Sequence, residues 1–435
     1  GCGATGRLRI LLDSIWRDFW RRKNSDWESR TFSVMAGGDF ALIKSVEGFE
    51  DFAAFGKKQI NDLSVSKSDV VFAITEGGET SFVIGTAWAG VEAGAKVYFI
   101  YNNPDDILRA HVQRSREVIQ EPRIKKINLT TGPMAIAGST RMQATTIQLC
   151  VMLTILEMVA RELVGIKSEN VPQDFLAKLN ELHVNLKSPE LLAQLAKMVA
   201  LEESVYRGGG KTNYFADRFG IDVLTDTTER SPTFCTPSFR KFNEADAAES
   251  WAFLFLPQLE TVKAWEQILR RAPRCVDWSE DEIHPLVGEE IFSRTLETVR
   301  KISRVELLRF KIGLDGLPHR ILKIGDGAVA IAGETEATAF FQNQLDAARK
   351  CGAKTGTIYF CRKRAQNAQN ETSVLVSLPE TDFLLDGIAR LAVKLVMNAL
   401  STCVMARLGR VMGNTIIYVV PGNLASGLIP LLQTN

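Results

Sequence analysis

The chain has 435 residues, 46% of them hydrophobic and 24% charged, enough for two or three domains with their own cores and too apolar for a disordered chain. Its 52 basic and 51 acidic side chains leave a formal net charge of +1. No long-range field therefore draws it to nucleic acid or to an anionic membrane, and a small molecule or another protein is the expected partner.

The chain opens on Gly1-Cys2-Gly3 with no basic segment or apolar signal core, so no secretion signal is visible, and a strand is expected ahead of so glycine-rich an opening. Helical patterns then run over about 7–21, 50–62, 80–93, 104–118 and 139–164. Between them fall β-rich runs at Phe32 to Met35, Asp69 to Thr75, Lys96 to Tyr101 and Lys126 to Leu129. Strand and helix in alternation predict a parallel sheet wrapped by helices. The apolar run Ile147 to Ala160 contains Gln148 and Glu157 and is shorter than the ~18–20 residues that span a bilayer, so it reads as a buried helix.

Two charged amphipathic helices, Pro172 to Leu186 and Pro189 to Tyr206, end in Gly208-Gly209-Gly210 and read as a linker. A second unit follows, with strands near Thr212 to Ala216, Ala328 to Ala332 and Thr355 to Phe360, and a long helix from about Asp386 to Leu408. Extra, mostly helical material fills about 240–310. The stretch EGGETSFVIGTAWAGVEAGAKVYFIY, Glu76 to Tyr101, returns as AGETEATAFFQNQLDAARKCGAKTGTIYF, Ala332 to Phe360, so the chain carries one unit twice. The expected domains are 1–165, a helical linker at 166–210, and a diverged copy at 211–435.

Seven scattered cysteines without C-x-x-C spacing argue for reduced thiols in a cytoplasmic protein, and with four distant histidines they argue against a structural metal site. Four motifs carry candidate chemistry. In GCGATGRL, the backbone and hydroxyl of Gly3, Thr5, Gly6 and Arg7 face either an anion at a helix start or merely a tight turn. The turn Thr75-Glu76-Gly77-Gly78-Glu79-Thr80-Ser81 lies at the carboxyl edge of the sheet, where open α/β folds bind ligands, though Thr80 or Ser81 equally suits a helix cap. Ser139 and Thr140 precede the long apolar helix, as a site or as its cap. The cluster Glu47-Gly48-Phe49-Glu50-Asp51 has the composition of a helix start whatever its function.

These motifs, with AGGDFALIKSVEGFEDFAAFG at 36–56 and GPMAIAGSTRM at 132–142, resemble the SIS (sugar isomerase) family of phosphosugar-binding domains, in the branch of N-acetylmuramic acid 6-phosphate etherase and the glucokinase regulatory protein. GGGKTNYFADRFGIDVLTDTTERSPTF at 208–234 and KLVMNALSTCVMARLGRVMGNTI at 394–416 resemble it in the second half. The resemblance implies an α/β fold of two three-layer αβα domains with parallel, flavodoxin-like sheets, joined as an intramolecular pseudo-dimer. It implies a sugar phosphate held by Gly3, Thr5, Gly6, Arg7, Thr75, Gly77, Gly78, Thr80, Ser81, Ser139 and Thr140, without metal or other cofactor.

The family's etherases use one glutamate as base and another as acid to the departing lactyl ether oxygen. Glu50 matches the base, whereas Ile15 stands at the acid position of the first copy and Glu229 at the equivalent place of the second. A composite catalytic pair, Glu50 and Glu229, is one implication; the other is a site that binds without chemistry, with Glu229 a helix cap or ion-pair partner. Gly77, Met134 and Gln143 also depart from the family's serine, acidic and basic residues. The resemblance thus favours a phosphosugar sensor or regulator, with a sugar kinase or other metabolic protein as partner and a homodimer as a further assembly. A lyase or sugar-phosphate isomerase is the alternative. A regulator of this type carries a C-terminal helical lid, and this chain runs to Asn435 soon after its last long helix. GCGATGRL lacks the ending of a nucleotide P-loop, and no nicotinamide fingerprint is present.

Overall fold

A computed structural model describes residues 1–46, 48–334, 336–362 and 372–418. Glu47 of the acidic cluster, Thr335 of the second turn and residues 419–435 of the last expected domain lie outside these described residues.

The first half contains α1 (Gly3–Lys23), α2 (Ala53–Asn61), β1 (Val70–Ile74), α3 (Ser81–Glu92), β2 (Lys96–Tyr101), α4 (Asp105–His111), α5 (Gln113–Gln120), β3 (Ile124–Asn128) and α6 (Gln143–Leu163). After α7 (Val171–Leu186) and α8 (Pro189–Arg207) come β4 (Thr212–Ala216), α9 (Gly220–Phe234), β5 (Ala252–Phe255) and α10 (Thr261–Leu269). Then follow α11 (Glu280–Ile283), α12 (Glu289–Lys301), α13 (Arg304–Leu308), β6 (Gly327–Gly333), α14 (Thr338–Lys350), β7 (Lys354–Cys361), β8 (Thr372–Ser377) and α15 (Gly387–Arg407). Among the described residues, one parallel sheet has the order β1-β2-β3 and a second the order β5-β4-β6-β7-β8. The repeat is therefore structural: α3 and β2 in one half answer α14 and β7 in the other.

Several expectations need correction. Phe32 to Met35 is extended but forms no strand. Its backbone partner is Gly1, whose amino group donates to Val34 O at 2.8 Å and whose carbonyl accepts from Ala36 N at 2.9 Å. A groove of about 870 Å³ separates this segment from β1, lined by Phe32, Val34, Val70, Phe72, Tyr98 and Met152. The glycine-rich opening is not a loop ahead of a helix: Gly6 N donates to Cys2 O at 2.8 Å, so Gly3, Thr5, Gly6 and Arg7 form the first turns of α1. The helix expected over 104–118 breaks at Val112, whose extended backbone separates α4 from α5. Within the region read as mostly helical lies β5, and β8 was not anticipated.

α8 does more than connect, because it packs on β8 and α15 as part of the second body's helical layer. The insertion after β5 folds back onto the first half. Arg271 pairs with Asp13 at 3.1 Å and with Asp39 at 2.5 Å, and Ser14 Oγ donates to Ile268 O at 2.7 Å. α6 and α15 have the length and apolarity of membrane spans, yet half and 72% of those windows are buried inside the protein. The polar residues of α6 have structural partners: Gln148 Nε2 donates to Thr75 O and Asn102 Oδ1, and the Glu157 carboxylate accepts from the Leu384 and Leu385 amides.

α2 crosses α3 at two glycines. A Cβ on Gly56 would lie 2.0 Å from Phe82 O, and one on Gly85 would lie 2.0 Å from Ala53 O. Backbone, not a flexible side chain, is what each would strike. Gly85→Ala should therefore destabilise the fold by about 1–3 kcal/mol, the usual range for overpacking, seen as a lower urea midpoint at unchanged m-value.

Candidate functional site at the carboxyl edge of the first sheet and the junction of the halves

β1 ends at Ile74, and the next six residues make the turn into α3. Four of its carbonyls find a neighbouring element: Thr75 O accepts from Gln148, Glu76 O from Asn102 N, Gly77 O from Asn103 Nδ2 at 3.1 Å and Gly78 O from Ser115 Oγ at 2.8 Å. Gly78 has φ +78°, and a Cβ there would stand 2.7 Å from Leu108 Cδ1, so both backbone and space require glycine. Thr80 does not cap α3 through its side chain; its hydroxyl lies 2.8 Å from that of Thr75. Burial pushes the Glu76 carboxyl up, and nearby Glu79 adds to this.

Glu50 arrives at this edge from the other side. Its carbonyl accepts from Phe82 N, at the start of α3, at 2.9 Å. Phe49 beside it stacks on Trp278 of the insertion with ring centroids 5.6 Å apart, so the second half helps hold this segment. The Glu50 carboxylate neighbours Cys2, whose thiol is pushed up to about 12, chiefly by burial and also by that carboxylate. The Arg9 guanidinium donates to Ile74 O. Cys2, Glu50 and the turn at Thr75 thus share one locality, with Gly77, Gly78, Thr80 and Ser81 in the same turn.

Ser139 and Thr140 do not cap the long helix: α6 starts at Gln143 with Met142 as N-cap. The Ser139 hydroxyl is buried with no hydrogen-bond partner. Gln143, one of the departures from the family pattern, holds the preceding loop by donating to Pro133 O at 2.9 Å and accepting from Ala135 N.

Arg7 and Glu229 come together with each other rather than at this edge. Arg7, fully buried, donates to the Glu229 carboxylate across the junction of the halves and to Leu42 O at 3.0 Å. Beside them Arg141 pairs with Asp226, which also accepts from Arg230 at 3.0 Å and from the Ser401 hydroxyl at 2.9 Å. Arg230 in turn donates to Glu202 at 2.9 Å. The space there is about 30 Å³, lined by Arg141, Asp226, Glu229, Lys394 and Asn398 among others, with room for about one water. Glu50 is not part of that lining.

Sequence reasoning passed over Lys394, although a lone lysine inside LAVKLVMNAL was the available signal. Its ammonium donates to Arg141 O at 2.8 Å, Thr146 Oγ1 at 2.7 Å and Asn398 Oδ1 at 3.2 Å. Burial, then the charge of Arg141, lowers it to about 7, against the opposing pull of Cys150, Asp226 and Glu229.

With this geometry in hand, the comparisons are direct. Residues 1–89 match the family model of the glucokinase regulatory protein N-terminal SIS domain. The N-acetylmuramic acid 6-phosphate etherase of Deinococcus radiodurans is 33% identical over 150 residues, 34% of this chain and 44% of that protein. Etherase 1 of Bacillus licheniformis is 32% identical over 146 residues, 34% of this chain and 43% of that one. The chain thus spans less than half the length of these relatives. The C-terminal domain of glucosamine-fructose-6-phosphate aminotransferase from Francisella tularensis shares the fold, with a TM-score of 0.52 at 11% identity over 94% of this chain and 83% of that chain.

The buried lysine makes stability pH-dependent. Between pH ~7 and the ordinary lysine range the unfolded chain holds a proton that folded Lys394 has released, so stability rises with pH across that window. Lys394→Met should lack this rise: measured by denaturant unfolding, the wild type gains on the variant from pH 7 towards 10, and the two run parallel below pH 6.

Proposed function

We propose, from the premise that this chain is an SIS-family protein, that it binds a hexose or amino-sugar phosphate at the carboxyl edge of its first sheet and serves as a cytoplasmic sensor or regulator. The observation that carries this reading is the pairing of Glu229 with Arg7. A general acid must hold and then surrender a proton. A protonated Glu229 would strand a buried guanidinium without its counter-charge, and breaking such a pair costs about 3–5 kcal/mol. Ile15, at the other acid position, has no proton to give.

Binding needs less. The unpartnered hydroxyl of Ser139, the amides at the start of α3 and the Thr75–Thr80 hydroxyl pair supply donors for phosphate and sugar oxygens. Gly3, Thr5, Gly6 and Arg7 lie instead in the first turns of α1. A regulator of this kind would report occupancy to a sugar kinase or another metabolic protein.

A second reading, a carbon-oxygen lyase like the N-acetylmuramic acid 6-phosphate etherases, is favoured by the place of Glu50. It has the base's position and lies beside the turn at Thr75. There Glu50 would take the proton α to the opened sugar's aldehyde, with Glu229 as acid after separating from Arg7.

One plate separates the two. With N-acetylmuramic acid 6-phosphate, glucosamine 6-phosphate and fructose 6-phosphate, the binding reading expects a raised Tm and no D-lactate, with Glu50→Gln and Glu229→Gln altering only the Tm response. Lactate release that falls by about 10²-fold or more in Glu50→Gln would replace it with the lyase.

A further inference from the structure

In the second sheet β4 lies between β5 and β6 and leads into α9. In the first half α1 answers α9, β1 answers β6, and the extended residues 32–35 follow α1 as β5 follows α9. Among the described residues, no strand of the first half holds the place of β4. The groove of about 870 Å³ between residues 32–35 and β1 lies there instead.

Gly1 stands at the end of that place. With Ile15 opposite Glu229, Gly1 falls opposite Phe215, which pairs in parallel with Phe255. Gly1 likewise makes the bonds of a parallel pairing with Met35, since its nitrogen donates to Val34 O at 2.8 Å and its carbonyl accepts from Ala36 N at 2.9 Å. Burial, then the charge of Arg9, holds the Gly1 amino group well below the ordinary range, so an uncharged amide nitrogen suits this position.

The opposite wall is an open strand edge. β1 pairs with β2 on one side, and Thr75 N donates to Ile100 O across that pairing. Ile74, one residue earlier, turns its carbonyl the other way and accepts from the Arg9 guanidinium, a side chain standing where a strand would set an amide. By the two-residue period of a strand, the backbones of Val70 and Phe72 face the groove with it. The lining is apolar: Phe32, Val70 and Val159 are exposed there, and Phe72 stacks on Tyr98 with ring centroids 5.2 Å apart. An unpaired edge beside exposed apolar side chains is a template for another strand, and an inner strand of a parallel sheet is apolar on both faces.

We infer that this groove is a strand slot. Its occupant is an extended apolar segment that runs into Gly1 and pairs in parallel with residues 32–35 on one side and with β1 on the other. So filled, the first sheet takes the strand order of the second.

The test compares the 435-residue chain with two versions extended at Gly1, one by alternating valine and isoleucine over the length of β4, the other by as many glycines and serines. The expected result is a Tm higher by about 2 °C or more in the valine-isoleucine version alone. Amide exchange over residues 32–35 and β1 should slow about tenfold or more in the same version. Val70 is exposed on the wall of the groove, so Val70→Glu should leave the Tm of the unextended chain unchanged and cancel the gain of the extended one. Equal Tm and exchange in the two extended versions would overturn the slot, as would a gain that survives Val70→Glu. Protection of β1 in the unextended chain that grows with protein concentration, alongside a dimer in sedimentation, would overturn the occupant and give the groove to a second copy.

Discussion

Asp226 is the constraint on which the arrangement of the two halves depends. Its carboxylate, 3% exposed, accepts from Arg141 at the approach to α6, from Arg230 on its own helix, and from Ser401 and Asn398 on α15. Arg7–Glu229 runs beside it from α1 to α9, and Arg230 continues the chain to Glu202 on α8. Apolar faces would tolerate sliding by a residue or a turn. Desolvated ion pairs do not, because a misplaced partner leaves a buried charge, at a cost of about 3–5 kcal/mol. Whether or not these pairs add net stability, they select one docking of the halves.

That docking explains why each half is incomplete alone. The insertion after β5 reaches back through Arg271 to Asp13 and Asp39, and through Trp278 to Phe49 beside Glu50. In the other direction α1 walls the cavity of the second sheet. The carboxyl edges of the sheets are therefore made by both bodies, although each sheet belongs to one.

Much of this was legible in the residues themselves. Period and length marked β1 to β3, β4, β6, β7 and the long helices α6 and α15, and the repeated turn, helix and strand announced the two copies. What failed was non-local. Phe32 to Met35 has the composition of a strand, but strand identity depends on a neighbour's backbone, which composition does not show. β5 is only four residues long, and its partner β4 lies some forty residues earlier. In the site, the turn at Thr75 was readable because its glycines and hydroxyls are contiguous. The fate of Glu229 was not, since its counter-charge is 222 residues away. The same holds for Arg141 and Asp226, whereas the i,i+4 pair of Asp226 and Arg230 was visible in DTTER.

The contribution of α1 to the wall of the second sheet's cavity has a consequence for variation. In a homodimer of identical chains, any change on such a helix appears twice and alters both sites together. Here the halves are separate stretches of one gene, so a change at Ile15 alters the wall of one cavity and leaves the neighbourhood of Glu229 untouched. The two edges can therefore vary independently, one with a carboxylate beside its turn and the other with arginines, while the shared seam of ion pairs holds them in a single folded body.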